Sequence, residues 1–140
     1  LDEYKALGDL NNKLSKFNSQ IITIYFEHYL YKDEFSFDTI SYDLDAIKKD
    51  HIAEVEYVKK MKAAQINTDK LSTILSYHSE AIELYEKAFK RLQIFSANND
   101  FAEYNAFIDN FFKANEIVDA AFTLINSEYE KAFQSLTGIK

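Results

Sequence analysis

The chain has 140 residues, 47% of them hydrophobic, with no Cys, no Pro, only two Gly and a formal net charge of −7. Without Cys there is no disulfide, no zinc–thiolate centre and no thiol nucleophile. Without helix breakers or regularly spaced turn residues there is no all-β sandwich. The acidic balance disfavours nucleic acid and anionic membrane surfaces, which are held by basic patches, and suits a well-solvated surface.

The first segment places Leu7, Leu10, Leu14, Phe17, Ile21, Ile24, His28 and Tyr31 in steps of three and four. That spacing keeps one face of a helix apolar and predicts a helix over 2–31. Gly8 weakens only its first turn. The β-branched run from Ile21 to Phe26 reads as strand in isolation, but the unbroken stripe through it favours helix. The stretch from Ile21 to Tyr31 is the most apolar in the chain. It is interrupted by Thr23, Glu27 and His28 and is too short to span a bilayer.

A turn follows from Lys32 to Phe37. Asp38 is a natural N-cap, because its carboxylate can accept from the unpaired N–H groups of the first turn. Phe37 and Tyr42 stand at hydrophobic-staple positions around it. The second helix, 38–64, carries Ile40, Leu44, Ile47, His51, Val55, Val58 and Met61. Gln65 to Asn67 form the second turn, with Asn67 as the cap of a third helix and Ile66 and Leu71 as its staple. That helix, 68–96, carries Leu71, Ile74, His78, Ile82, Tyr85, Phe89, Leu92 and Phe95.

Ser96 to Asn99 form the third turn, and Asp100 with Glu103 has the spacing of a capping box. The fourth helix, 100–136, carries Tyr104, Ile108, Phe111, Asn115, Val118, Phe122, Ile125, Tyr129, Ala132 and Leu136, and Gly138 provides its stop. Long helices joined by short turns must fold back as neighbours. The expected fold is all-α: one domain over 1–140, an antiparallel up-down-up-down four-helix bundle. A three-helix layout, with the second and third helices continuous through Asn67, is opposed by the polar stretch Gln65 to Lys70.

All three His, His28, His51 and His78, lie on apolar stripes. Helical rise puts His51 and His78 at similar heights on adjacent helices and leaves His28 apart. A di-iron site needs Glu-x-x-His on two helices. Here Tyr25, Lys48 and Leu75 occupy the positions three before each His. The His-Glu-x-x-His zinc motif is missing too. The expectation is therefore no metal and no cofactor, with the His as hydrogen-bonded core residues and Asn115 as a register-setting polar residue. No nucleophile elbow, phosphate loop or dinucleotide glycine motif occurs. The chain reads as a non-enzyme with no catalytic residue.

Ten Tyr and twelve Phe are the compositional anomaly. Phe26, Tyr29, Tyr31, Phe35, Phe37, Tyr42, Phe95, Phe101 and Tyr104 map to one end of the expected bundle. Such a group either caps the core or forms a contact site, because aromatics dominate interface hot spots and line ligand cavities. The candidate binding set is Phe26, His28, Tyr29, Phe35, Phe37, Phe95 and Phe101. Two functions follow: a module that binds another protein, or a sensor or carrier of a small apolar ligand held between helices. A closed apolar cavity would favour the ligand, and a flat exposed patch the protein partner.

From Thr68 the sequence runs Thr-Asp-Lys-Leu-Ser-Thr-Ile-Leu-Ser-Tyr-His-Ser-Glu-Ala-Ile-Glu-Leu-Tyr. A polar break with Asn-Asn-Asp then leads into a second aromatic helix that reaches Phe133. This half of the chain resembles small helical extracytoplasmic lipoproteins of Gram-positive bacteria, in which a His early in a helix precedes such a pair. The resemblance implies an extracytoplasmic or cell-surface location more than an activity. The first residue is Leu1, so any signal peptide or lipidated Cys would lie upstream of it, and a cytoplasmic location stays open. Abundant Lys, Asn, Ile, Phe and Tyr beside a single Arg, Arg91, suggest an AT-rich genome.

Overall fold

The apolar stripes become four α-helices in a computed structural model that describes residues 2–31 and 38–138, with side chains for 2–21, 23 and 40–138. They are α1 (Asp2–Tyr31), α2 (Asp38–Ala63), α3 (Asp69–Asn98) and α4 (Phe101–Thr137). Cross-helix contacts give their directions. Glu3 accepts from the Tyr57 hydroxyl and Lys13 pairs with Asp50, so α2 descends as α1 ascends. Gly8 lies against Ile125, and Asn18 bonds Asn115, so α4 also runs against α1. Arg91 with Glu103 and Tyr85 with Asn115 set the antiparallel pairing of α3 and α4. The helices close a square in which α1 packs on α2 and α4, and α3 on α2 and α4; α1 reaches α3 across the diagonal, and among the described residues the α2 and α4 backbones do not come close.

The local signals act only in part as expected: the capping box at α4 is half-formed, because the Asp100 N–H bonds Asn98 Oδ1 and not Glu103. Asp100 caps α4, its carboxylate accepting from the Ala102 N–H at 3.0 Å. The carboxylate of Glu103 reaches across to Arg91, whose Nη1 lies 3.1 and 2.9 Å from its two oxygens. Before α3, Asn67 accepts from the Asp69 N–H at 3.1 Å, while Thr68 occupies the N-cap position without a side-chain cap bond. The third turn is shorter than expected. Helix α3 continues to Asn98, and Asn99 turns the chain in the left-handed region at φ 56°, its N–H bonded to the Phe95 carbonyl. Asn tolerates that region better than most residues. Gly138 ends α4 at φ 74°.

The buried face of α4 differs from the expected one. It consists of Phe107, Phe111, Ala114, Val118, Ala121 and Ile125, whereas Phe122 is 50% and Leu136 73% exposed. The cause lies in the tight packing of α3 on α4. Ala81 and Ala88 on α3 and Ala114 and Ala121 on α4 are all fully buried and recur every seven residues. Small side chains at one heptad position let two backbones approach closely, and the large rings nearby are displaced to the flank.

The core has two apolar clusters. The larger contains Leu14, Phe17, Ile21, Ile40, Leu44, Tyr85, Phe89 and Phe111, and the smaller Leu7, Val58, Leu71, Ile74, Leu75 and Ile125. Burying a Leu, Ile or Phe contributes about 1.5–3 kcal/mol, so these side chains hold the bundle closed. Between the clusters lie the buried polar side chains Asn11 and His78.

Candidate functional site

The expected candidate residues divide into three groups. Phe35 and Phe37 lie outside the described residues. Phe26, His28 and Tyr29 lie on the helical backbone of α1, and their side chains are outside the described set. Phe95 and Phe101 are described, and they behave oppositely. Phe95 is 7% exposed and belongs to the core, while Phe101 is 71% exposed, although their ring centroids are 6.0 Å apart. Phe95 also meets Tyr104 at 5.4 Å, and the contacts continue through Phe107, Phe111 and Tyr85 to Phe17. The rings form a continuous ladder from solvent at Phe101 to the middle of the core.

Further exposed rings follow Phe101 along α4: Phe112, Phe122 and Phe133, with Leu136 beyond them. Phe101 and Phe112 are eleven residues apart, as are Phe122 and Phe133. Eleven residues make three helical turns, so each pair is stacked on one face. At 100° per residue all four rings fall within about a quarter of the helix circumference. Sequence reasoning missed Phe112 and Phe133 and assigned Phe122 to the core. The eleven-residue recurrence of Phe was the signal that could have found them.

The two His whose side chains are described, His51 and His78, both make hydrogen bonds across helices. His51 Nε2 lies 3.0 Å from the Leu75 carbonyl oxygen and donates to it. His78 Nε2 donates to Asn11 Oδ1 at 2.9 Å, and its Nδ1 has no hydrogen-bond partner. Burial, and then the nearby His51, pull His78 down to about 4, so it is neutral at pH 7. The two His do stand near one another on adjacent helices, but His51 is level with Leu75, one turn from His78. Among the described residues no three His, Asp or Glu side chains converge as metal ligands would. The second polar layer is Asn115, whose Oδ1 accepts from Asn18 Nδ2 and, at 2.7 Å, from the Tyr85 hydroxyl. Burial pushes the Tyr85 phenol up and keeps it protonated as a donor.

Two open depressions flank α2. One, between α1 and α2, is lined by Lys13, Lys16, Gln20, Asp43, Ala46, Ile47 and Asp50. The other, between α2 and α3, has a volume of about 500 Å³ and is lined by His51, Val55, Val58, Lys59, Lys62, Ser72, Leu75, Ser76 and Ser79. No described helix is long and apolar enough to cross a membrane. No protein-family model matches the chain, and neither a curated protein nor a solved structure shows significant similarity to it.

Proposed function

We propose that this chain is a non-enzymatic helical module that binds another protein through the outer face of α4. One observation carries the reading. Five of the ten exposed large hydrophobic residues described, Phe101, Phe112, Phe122, Phe133 and Leu136, lie on this one helix. An exposed ring adds little to the fold and promotes aggregation, whereas the same ring buried by a partner is a typical hot spot. On the same helix the acidic residues Asp109 and Glu116 flank the rings on one side, while Asp119 and Glu130 lie among them on the same face.

The second reading, a carrier of a small apolar ligand at the aromatic end, is less favoured because Phe95 there is packed into the core and Phe101 projects from it. An extracytoplasmic location is part of the proposal, and the resemblance of residues 68–133 to helical lipoproteins supports it.

Photo-crosslinking in the cells of origin tests the reading. A photoreactive phenylalanine is placed at position 112 or 122, and at 45 or 56 on the exposed face of α2 as controls. The expected result is one discrete adduct from 112 and 122 and none from 45 and 56. Equal labelling from both faces, or labelling from neither, would contradict the proposal.

A further inference from the structure

The groove between α2 and α3 has a composition unlike the rest of the molecule. The chain carries 23 acidic and 16 basic residues, yet the groove lining has Lys59, Lys62 and His51 and no carboxylate. Lys59 pairs only with Glu56 of its own helix, at 3.4 Å and in solvent, a contact of little energetic consequence. Lys62 has no ion pair among the described residues. The groove exists because Ser72, Ser76 and Ser79, at i, i+4 and i+7 on α3, are too short to fill the space facing Val55 and Val58. Elsewhere on the helices Thr73 and Thr123 fold their hydroxyls back onto their own backbone. No such bond occupies the three groove serines.

We propose that this groove binds a medium-chain aliphatic carboxylate. Its chain lies along Val55, Val58 and Leu75, and its carboxylate is taken by Lys62 and Lys59 with the Ser72 hydroxyl. His51, tied by Nε2 to the Leu75 carbonyl, closes the far end. From Lys62 to His51 the α2 wall runs about 16 Å, which suits an extended acyl chain. The volume of about 500 Å³ falls in the range of small-molecule sites. A partner helix fits less well, since it needs apolar anchors along a whole face and one wall here is hydroxylated. The site is separate from the α4 face, since among the described residues the α2 and α4 backbones do not come close, and it stands or falls independently of the proposed protein contact.

Amide NMR titration of the intact chain tests the proposal, with sodium decanoate below its micellar concentration, and with decanol and sodium acetate as comparators. Saturable decanoate shifts confined to residues 51–62 and 72–79 are expected, with decanol weaker by about tenfold for want of a charge-assisted contact and acetate without effect. The double variant Lys59→Gln, Lys62→Gln should bring decanoate down to the affinity of decanol. Ser76→Leu fills the groove from an exposed helical position without endangering the fold, and it should abolish binding of both. Decanoate shifts that do not saturate or that gather on the α4 rings would overturn the proposal. So would decanoate affinity that survives the double lysine variant, or binding of an amphipathic peptide that decanoate does not displace.

Discussion

Asn11 on α1 and His78 on α3 meet across the diagonal of the bundle, Nε2 donating to Oδ1 at 2.9 Å with both side chains buried. One heptad further along both helices the contact recurs in another form. Asn18 and Tyr85 occupy the equivalent positions and are joined through Asn115 of α4. Two polar layers at matching heights oppose sliding of α1 against α3, because a shift of one turn would leave each donor facing hydrocarbon. Buried polar residues set register in helical assemblies in this way, at some cost in stability.

Asn115 is the acceptor for two donors, so its removal should cost more than removal of either donor. Asn115→Ala leaves the buried Tyr85 hydroxyl unpaired and takes the acceptor from the half-buried Asn18 amide, and a loss of about 1.5–3 kcal/mol is expected. Tyr85→Phe leaves Asn115 bonded to Asn18 and should cost about 0.5–1.5 kcal/mol. Urea denaturation of the two variants checks the order, and equal losses would mean that the layer is not organised around Asn115.

His78 should make the fold sensitive to mild acid. Its folded pKa of about 4 lies below the ordinary 6.5, through burial first and then His51. The groups facing it are the neutral Asn11 from α1 and the His51 ring from α2. The unfolded chain takes up a proton between pH 6.5 and 4 that the folded chain refuses. The contribution is therefore complete above pH 6.5, falls as pH drops through this window, and amounts to about 3 kcal/mol in all. Glu54, raised by burial and by Asp50 and Glu3, acts in the opposite sense. The informative quantity is thus the difference between the wild-type chain and His78→Gln. The variant should lack the wild-type decline between pH 6.5 and 4, and parallel curves would remove His78 from the account.

Gly8 offers a gain. It lies within α1, its φ is not positive, and an added Cβ would meet only Ile125 Cγ2 at 3.8 Å, an ordinary contact. Gly8→Ala should therefore stabilise the chain by about 0.5–1 kcal/mol, because Gly carries more backbone entropy into the unfolded state. A thermal melt will show this as a raised midpoint; a lowered one would mean that α1 and α4 are packed too closely at Gly8 for a methyl group.

The helices were legible because each stripe is long and almost uninterrupted. Leu7, Leu10, Leu14 and Phe17 on α1, and Ile74, His78, Tyr85 and Leu92 on α3, are buried as their spacing demands. The face of α4 was not legible in the same way, since reading by the largest apolar residue selects Phe122. The structure instead buries Ala114 and Ala121 on α4, as it buries Ala81 and Ala88 on α3, where these two helices pack most closely. Close approach of two helices rewards small side chains, and nothing in a single helix reveals which neighbour comes closest. The aromatic end was legible as composition only. Phe95 lies on the apolar stripe of α3 and Phe101 off that of α4, and the structure accordingly buries the first and exposes the second.

The central claim is that the α4 rings are surplus to the fold and therefore available to a partner. The urea midpoint of the double variant Phe101→Ser, Phe112→Ser tests it most directly. These rings are 71% and 57% exposed, and surface substitutions generally cost little. The expected loss is at most about 1 kcal/mol for each ring, against about 3–5 kcal/mol for a truncated core ring such as Phe17→Ala. A loss of several kcal/mol at each of the two positions would make them ordinary core residues and contradict the account.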